Sequence, residues 1–243
     1  AFRSRDDGFV RIRSIREDFE EVEFEIVPGI AASPAGHWGN YLKAPADELA
    51  RQFAISRGFD GVLASDIPIA AGLSSSSALV NAVGLALAHV NGIILERLPF
   101  AEVMAEAERY TGTRGGGMDQ AISMAGHADH AARIEFSPLQ MRHVPVPQGW
   151  CFVIANTGGR AEKSGHAGAV YNARRKECEE AFRIVADVAL NRGLIHSRLT
   201  GYRNLLQILE EDIVIEVGEA ALRGTLLQRF RHVITEAARV EAA

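Results

Sequence analysis

A chain of 243 residues, 47% hydrophobic and 23% charged, is long enough to bury a sizeable core and holds one large domain or two small ones. Its net charge of −5 gives no basic field for nucleic acid or an anionic membrane surface. The two cysteines, Cys151 and Cys178, stand far apart and outside metal-ligand spacing, which argues against a disulfide framework and suits reduced thiols in the cytoplasm.

Ala1 to Arg16 carries arginines throughout and lacks an apolar block, so no signal peptide is expected there. The first residue is not methionine, which points to a fragment or a processed chain. Phe9 to Ile15 and Val22 to Val27 alternate apolar and polar residues, predicting a hairpin with one wet face. His37 to Arg57 reads as a helix on the spacing of Leu42, Leu49 and Phe53, bent or restarted at Pro45. Its opening, HWGNYLK, places Trp38, Tyr41 and Lys43 together, and two aromatics there are by themselves explained as core packing.

A β-like run, Gly61 to Ala64, leads into IPIAAGLSSSSALV (Ile67 to Val80), the stretch around which the chain is organised. The small turn Ala70-Ala71-Gly72 lets backbone N–H groups approach a ligand, and Leu73 then precedes four serines, Ser74 to Ser77. Those serines fall at a helix N-terminus, where unpaired N–H groups attract anions and hydroxyls cap, touch phosphate or ligate a hard cation. A Gly/Ser string is often a linker. Here, however, Ala78 to Val90 is apolar around nearly its whole circumference and therefore buried, which pins the serines to a core. No Gly-Lys-Ser/Thr follows the glycine, so this is not the common P-loop. The expectation is a phosphate-holding loop.

Pro99 to Thr111 is a further helix with Glu102, Glu106 and Arg109 on a solvated face. Glu108 lies around the cylinder beside Met104, where a carboxylate needs a cation or a donor; a rim salt bridge serves as well as a functional partner. Next come Gly115, Gly116 and Gly117, and Asp119 opens a short helix, a position capping alone would explain. Strands over Arg133 to Phe136 and Cys151 to Thr157 bracket a loop, Pro138 to Pro147, which marks the expected junction between domains 1–148 and 149–243. A long helix from about Gly168 to Leu190 carries Tyr171 near its start, and Asn204 to Ala243 is helical.

Several of these strings share a resemblance. GLSSSSALV resembles the second motif of the GHMP small-molecule kinases, and of their branches it is most similar to the galactokinases and N-acetylgalactosamine kinases. ERYTGTRGGGMDQ, HWGNYLK and VIANT…YNARRKECEEA resemble further blocks of that branch in the right order, over nearly all of Trp38 to Ala243. The resemblance implies a two-domain α+β fold, with a nucleotide-binding N-terminal half and a C-terminal half of sheet and helices. It implies transfer of a phosphoryl group from ATP, with Mg²⁺, to the anomeric hydroxyl of galactose. Trp38, Tyr41 and Lys43 would bind ATP with Ala70 to Ser76, the adenine lying by the aromatics. Ser76 and Glu108 would hold Mg²⁺, Asp119 would face the reacting hydroxyl, and Gly116 and Tyr171 would contact sugar. A cytoplasmic protein, monomeric when full length, is implied. N-acetylgalactosamine, uronic-acid or heptose kinases and a non-catalytic sugar and ATP sensor are the alternatives. The family's opening motif and its last glycine-rich loop are absent from the sequence, so a truncated and poorly active chain is expected.

Overall fold

A computed structural model describes residues 1–136, 138–155 and 166–242, and the side chains of all of these except 166 and 167. By its contacts the chain divides into two compact units, Ala1–Gly168 and Ala169–Ala243. The sequence-based junction after residue 148 falls upstream of that division.

In the first unit the alternating segments become strands: β1 (Phe2–Ser4), β2 (Phe9–Ser14), β3 (Val22–Glu25) and, after a helix, β4 (Phe59–Leu63). The sheet order is β1-β4-β2-β3, with β4 antiparallel to β1 and parallel to β2, and β2 antiparallel to β3. Period-two patterning sorts the faces. Val10, Ile12, Val22 and Phe24 point into the core, while Arg11 and Glu23 pair across the wet side.

Three helices share that core: α1 (Gly39–Phe53), α2 (Ser75–Val90) and α3 (Arg97–Glu108). They contribute Leu42 and Leu49, Val80 and Leu87, and Phe100 and Met104. α1 runs through Pro45 as one helix, so the expected restart does not occur. α2 is less uniformly buried than its composition suggested, because Ala82, Leu85 and His89 form one exposed stripe. Gly84 lets α2 and α3 close together, since a Cβ there would stand 2.2 Å from the Met104 sulfur. A single 3₁₀ turn, Arg109–Thr111, leads on to α4 (Met118–Ala125), then to a separate hairpin of β5 (His130–Glu135) and β6 (Gln140–Pro145).

Two strand expectations are corrected here. The stretch read as a loop, Pro138 to Pro147, contains β6, whose alternation the flanking prolines concealed. Residues 151–155 of the expected strand Cys151 to Thr157 form no strand, and Asn156 and Thr157 lie outside the described residues.

The second unit is helical: α5 (His166–Asn191, beginning just before it), α6 (Tyr202–Ile208), α7 (Glu211–Ala221) and α8 (Gly224–Ala242). The tail expected to be helical, Asn204 to Ala243, is made by α6, α7 and α8. Val185, Leu205, Val214, Phe230 and Ile234 form its core, and Tyr202 donates from its hydroxyl to the Cys178 carbonyl at 3.2 Å. Burial raises the pKa of the Tyr202 phenol. No described helix is long and apolar enough to cross a membrane.

One tight spot in the first unit yields a prediction. Gly58 accepts from the Arg5 amide and donates to the Asp7 carbonyl, both at 2.9 Å, and a Cβ on it would stand 1.8 Å from the Phe9 carbonyl oxygen. Backbone cannot yield as a side-chain tip does. Gly58→Ala is expected to cost about 1–3 kcal/mol through overpacking, measured as a fall in the urea midpoint with unchanged slope.

Candidate functional site

A cavity of about 480 Å³ opens in the first unit. One side is apolar, made by Phe19, Trp38, Tyr41, Leu63 and Leu79. Trp38 meets Phe19 edge to face at 5.4 Å, and the Arg16 guanidinium lies 5.9 Å from the Phe19 ring centre. Asp18 pairs with Arg16 at 2.9 Å and raises its pKa further. The other side is the serine turn itself, Gly72 with Ser74, Ser75 and Ser76.

The backbone of that turn is unusual. Ala70, Gly72 and Ser74 have φ of 55°, 75° and 59°, whereas Ala71 and Leu73 are not among the positive-φ residues. Positive-φ residues thus fall at every second position of the turn. Two of the three left-handed residues carry a Cβ, and each costs about 1–2 kcal/mol against the right-handed form. Strain of this kind gathers at ligand-holding turns. α2 begins directly after it with no side-chain cap, so its first N–H groups add to the same positive region.

α1 shows why its residues part company. Each residue turns the helix about 100°, so Lys43 points away from Tyr41. The structure brings Trp38 and Tyr41 to the cavity but not Lys43. Lys43 instead donates to the Ala31 carbonyl at 3.0 Å and the Ser33 hydroxyl at 2.9 Å. It belongs to a face with Asn40, which bonds Ser33 and Pro34, and Asp47, which accepts the Gly29 and Ile30 amides. Sequence reasoning missed this loop-holding face, although Asn40, Lys43 and Asp47 stand at helical spacing.

Behind the serine turn lies a buried polar cluster. Ser77, and not Ser76, donates to Glu108 Oε2 at 2.8 Å, and the Gln120 amide donates to the same oxygen. Asn81 donates to the Gln120 backbone carbonyl at 3.3 Å. All four side chains are at least nine-tenths buried. Glu108 thus has the partners its position demanded, and both reach one oxygen, Oε2. Asn81 and Gln120 were not anticipated, and a lone amide in an otherwise apolar helix was the signal available for Asn81.

Asp119 stands in the first turn of α4, half-buried, with Gly117 and not Asp119 at the cap position. Gly117 has φ 88° and packs with its Cβ position 3.1 Å from Ala105; Gly116 has open space around it. Tyr171 lies on α5 in the second unit, exposed and not packed in a core. Among the described residues no group of three or more His, Cys, Asp or Glu side chains is gathered as a metal site.

Three comparisons bear on this geometry. Residues 40–127 match the family described as the GHMP kinases N terminal domain. Over its whole length the chain is 34% identical to galactokinases of Chloroflexus aggregans and Chloroflexus aurantiacus, and it spans 58% of each. The crystal structure of Lactococcus lactis galactokinase complexed with galactose superimposes with a TM-score of 0.73 at 24% identity. That match covers 99% of this chain and 59% of the other, and it shows that the two share a fold.

The buried cluster sets up a measurement. Ser77→Ala removes one of two donors to an enclosed carboxylate, and a hydrogen bond to a charged group is worth about 1.5–3 kcal/mol. Thermal and urea unfolding of Ser77→Ala are expected to show a loss in that range, while Ser76→Ala, on the cavity side, is expected to change stability by less than about 0.5 kcal/mol.

Proposed function

We propose, from the premise that residues 40–127 make this chain a member of the GHMP kinases, that the protein carrying it is a galactokinase. It would transfer the γ-phosphoryl group of ATP to the anomeric hydroxyl of galactose. The observation that carries this reading is that the strained serine turn and the aromatic pair Trp38 and Tyr41 line one cavity. A flat apolar wall beside a strained turn at an uncapped helix N-terminus suits a purine joined to a polyphosphate. The 34% identity to two galactokinases along the whole chain supports the choice of sugar.

Each residue then has a task. Trp38 and Tyr41 hold the base, with Ala70 to Ser76 around the phosphates. A buried carboxylate bonded to Ser77, the last serine of a run whose Ser76 lines the cavity, suits a small hard cation, which keeps few protein ligands and completes its shell with phosphate oxygens and water. Glu108 and Ser76 would hold Mg²⁺, whose chemistry here is to neutralise charge on the phosphates. Asp119 accepts or orients the proton of the attacking hydroxyl, and Gly116 contacts the sugar. Catalysis of this kind is chiefly positioning and charge stabilisation. The protein acts as a cytoplasmic monomer on small molecules, and neither nucleic acid nor membrane is a partner.

Two substitutions test this reading in the protein that carries the chain. Asp119→Asn preserves size and removes basicity. It is expected to lower kcat with galactose by about 10²–10⁴-fold while ATP affinity stays within about twofold. Turnover near wild type would reduce Asp119 to a first-turn acid. Gly72→Val forces a β-branched side chain into a positive-φ position that faces open space, so the change acts on the turn and not on packing. Calorimetric titration is expected to show ATP affinity reduced at least about tenfold, and an unchanged affinity rules out the phosphate-holding turn.

A further inference from the structure

Of the described residues that line the cavity, Arg16 alone carries a charged side chain. It stands in the turn between β2 and β3, and that turn is held at more than one point. The Ile15 amide donates to the Leu63 carbonyl of β4 at 2.9 Å, and the Arg16 amide donates to the Ser14 hydroxyl at 3.1 Å. The guanidinium is fixed as well. Its Nε and Nη2 donate to the two carboxylate oxygens of Asp18 at 3.0 and 2.9 Å, and the group lies over Phe19, which meets Trp38 edge to face. The cation therefore belongs to the aromatic side of the cavity and not to the side made by the serine turn.

Both members of this ion pair are more than half exposed, so the pair adds little to stability. What it does is aim the guanidinium. Asp18 takes the Nε and Nη2 edge of the planar fork, which leaves the Nη1 amino group outside the pair. Trp38 buries its indole N–H, so it offers the cavity a ring face and no donor. A flat ligand against that face would find its charged donor at Arg16.

We propose that Arg16 reads the base of the nucleotide: Nη1 donates to the N7 acceptor of a purine lying against Trp38 and Tyr41, and this contact favours purine over pyrimidine nucleotides. The proposal rests on the reading of the cavity as the nucleotide site. Adenine and guanine both present N7 as an acceptor, pyrimidines have no counterpart, and a guanidinium matches that edge well. A bond from a charged donor is also stronger than a neutral one. A phosphate oxygen is the competing partner for this cation, and the two uses are separated by experiment.

Calorimetric titration of the intact protein and of Arg16→Met, with ATP and with 7-deaza-ATP, forms a double cycle. Methionine keeps an apolar contact with Phe19 and removes the donor. The wild type is expected to bind 7-deaza-ATP about tenfold more weakly than ATP. Arg16→Met is expected to bind ATP about tenfold more weakly than the wild type does, to bind the two nucleotides within about twofold of each other, and to show a correspondingly smaller preference for ATP over CTP. An ATP to 7-deaza-ATP ratio that is the same in both proteins overturns the proposal. So does an equal loss for ATP, 7-deaza-ATP and inorganic tripolyphosphate, which assigns Arg16 to the phosphates. Gly72→Val keeps the two readings apart. If it weakens ATP binding while the cycle shows no coupling, the nucleotide site stands and the role of Arg16 fails. If it leaves ATP affinity unchanged while the cycle shows coupling, Arg16 reads the base and the serine turn is not what holds the phosphates.

Discussion

The Glu108 carboxylate, taken out of water at the end of α3, is the constraint around which the site is built. An enclosed carboxylate is costly unless donors reach it, and the two donors come from different helices, Ser77 of α2 and Gln120 of α4. Helix spacing then does the rest. Ser77 and Gly84 lie on one side of α2, and Glu108 and Met104 on one side of α3, so the hydrogen bond at one end is matched by close packing at the other. The polar contact sets the register, and the missing side chain at Gly84 permits the approach.

This frame also explains how the serine turn tolerates its backbone. Two Cβ-bearing residues in the left-handed region cost about 1–2 kcal/mol each, which a free loop would release by relaxing. Here the turn is tethered on both sides, by β4 in the middle of the sheet and by α2 buried in the core. The fold itself therefore holds the turn in its strained form.

Much of this was legible in the sequence, and the limits have physical causes. The alternation of β2 and β3, the presence of α2 and α3, and the loop between β4 and α2 followed from period and composition alone. What escaped were pairings between segments remote in sequence. Nothing local tells Glu108 that its donors sit in two other helices, and nothing local distinguishes Ser77 from Ser76. Lys43 is the opposite case. Its place opposite Tyr41 follows from 100° per residue, yet the motif that carries all three aromatic and basic residues reads as one unit. β6 was hidden because prolines border it, although its own residues alternate.

The sheet order has a consequence for how the protein is made. β4 sits between β1 and β2, both of which leave the ribosome well before it, so neither can complete its ladder until residue 63 has emerged. Within this four-stranded sheet the β2–β3 hairpin forms from neighbouring residues, and its apolar face has no cover until α1 and α2 follow. The last of those helices begins at the serine turn. These strands thus carry an open sheet edge and an uncovered face until the serine turn and α2 are translated, an interval in which chaperone protection matters.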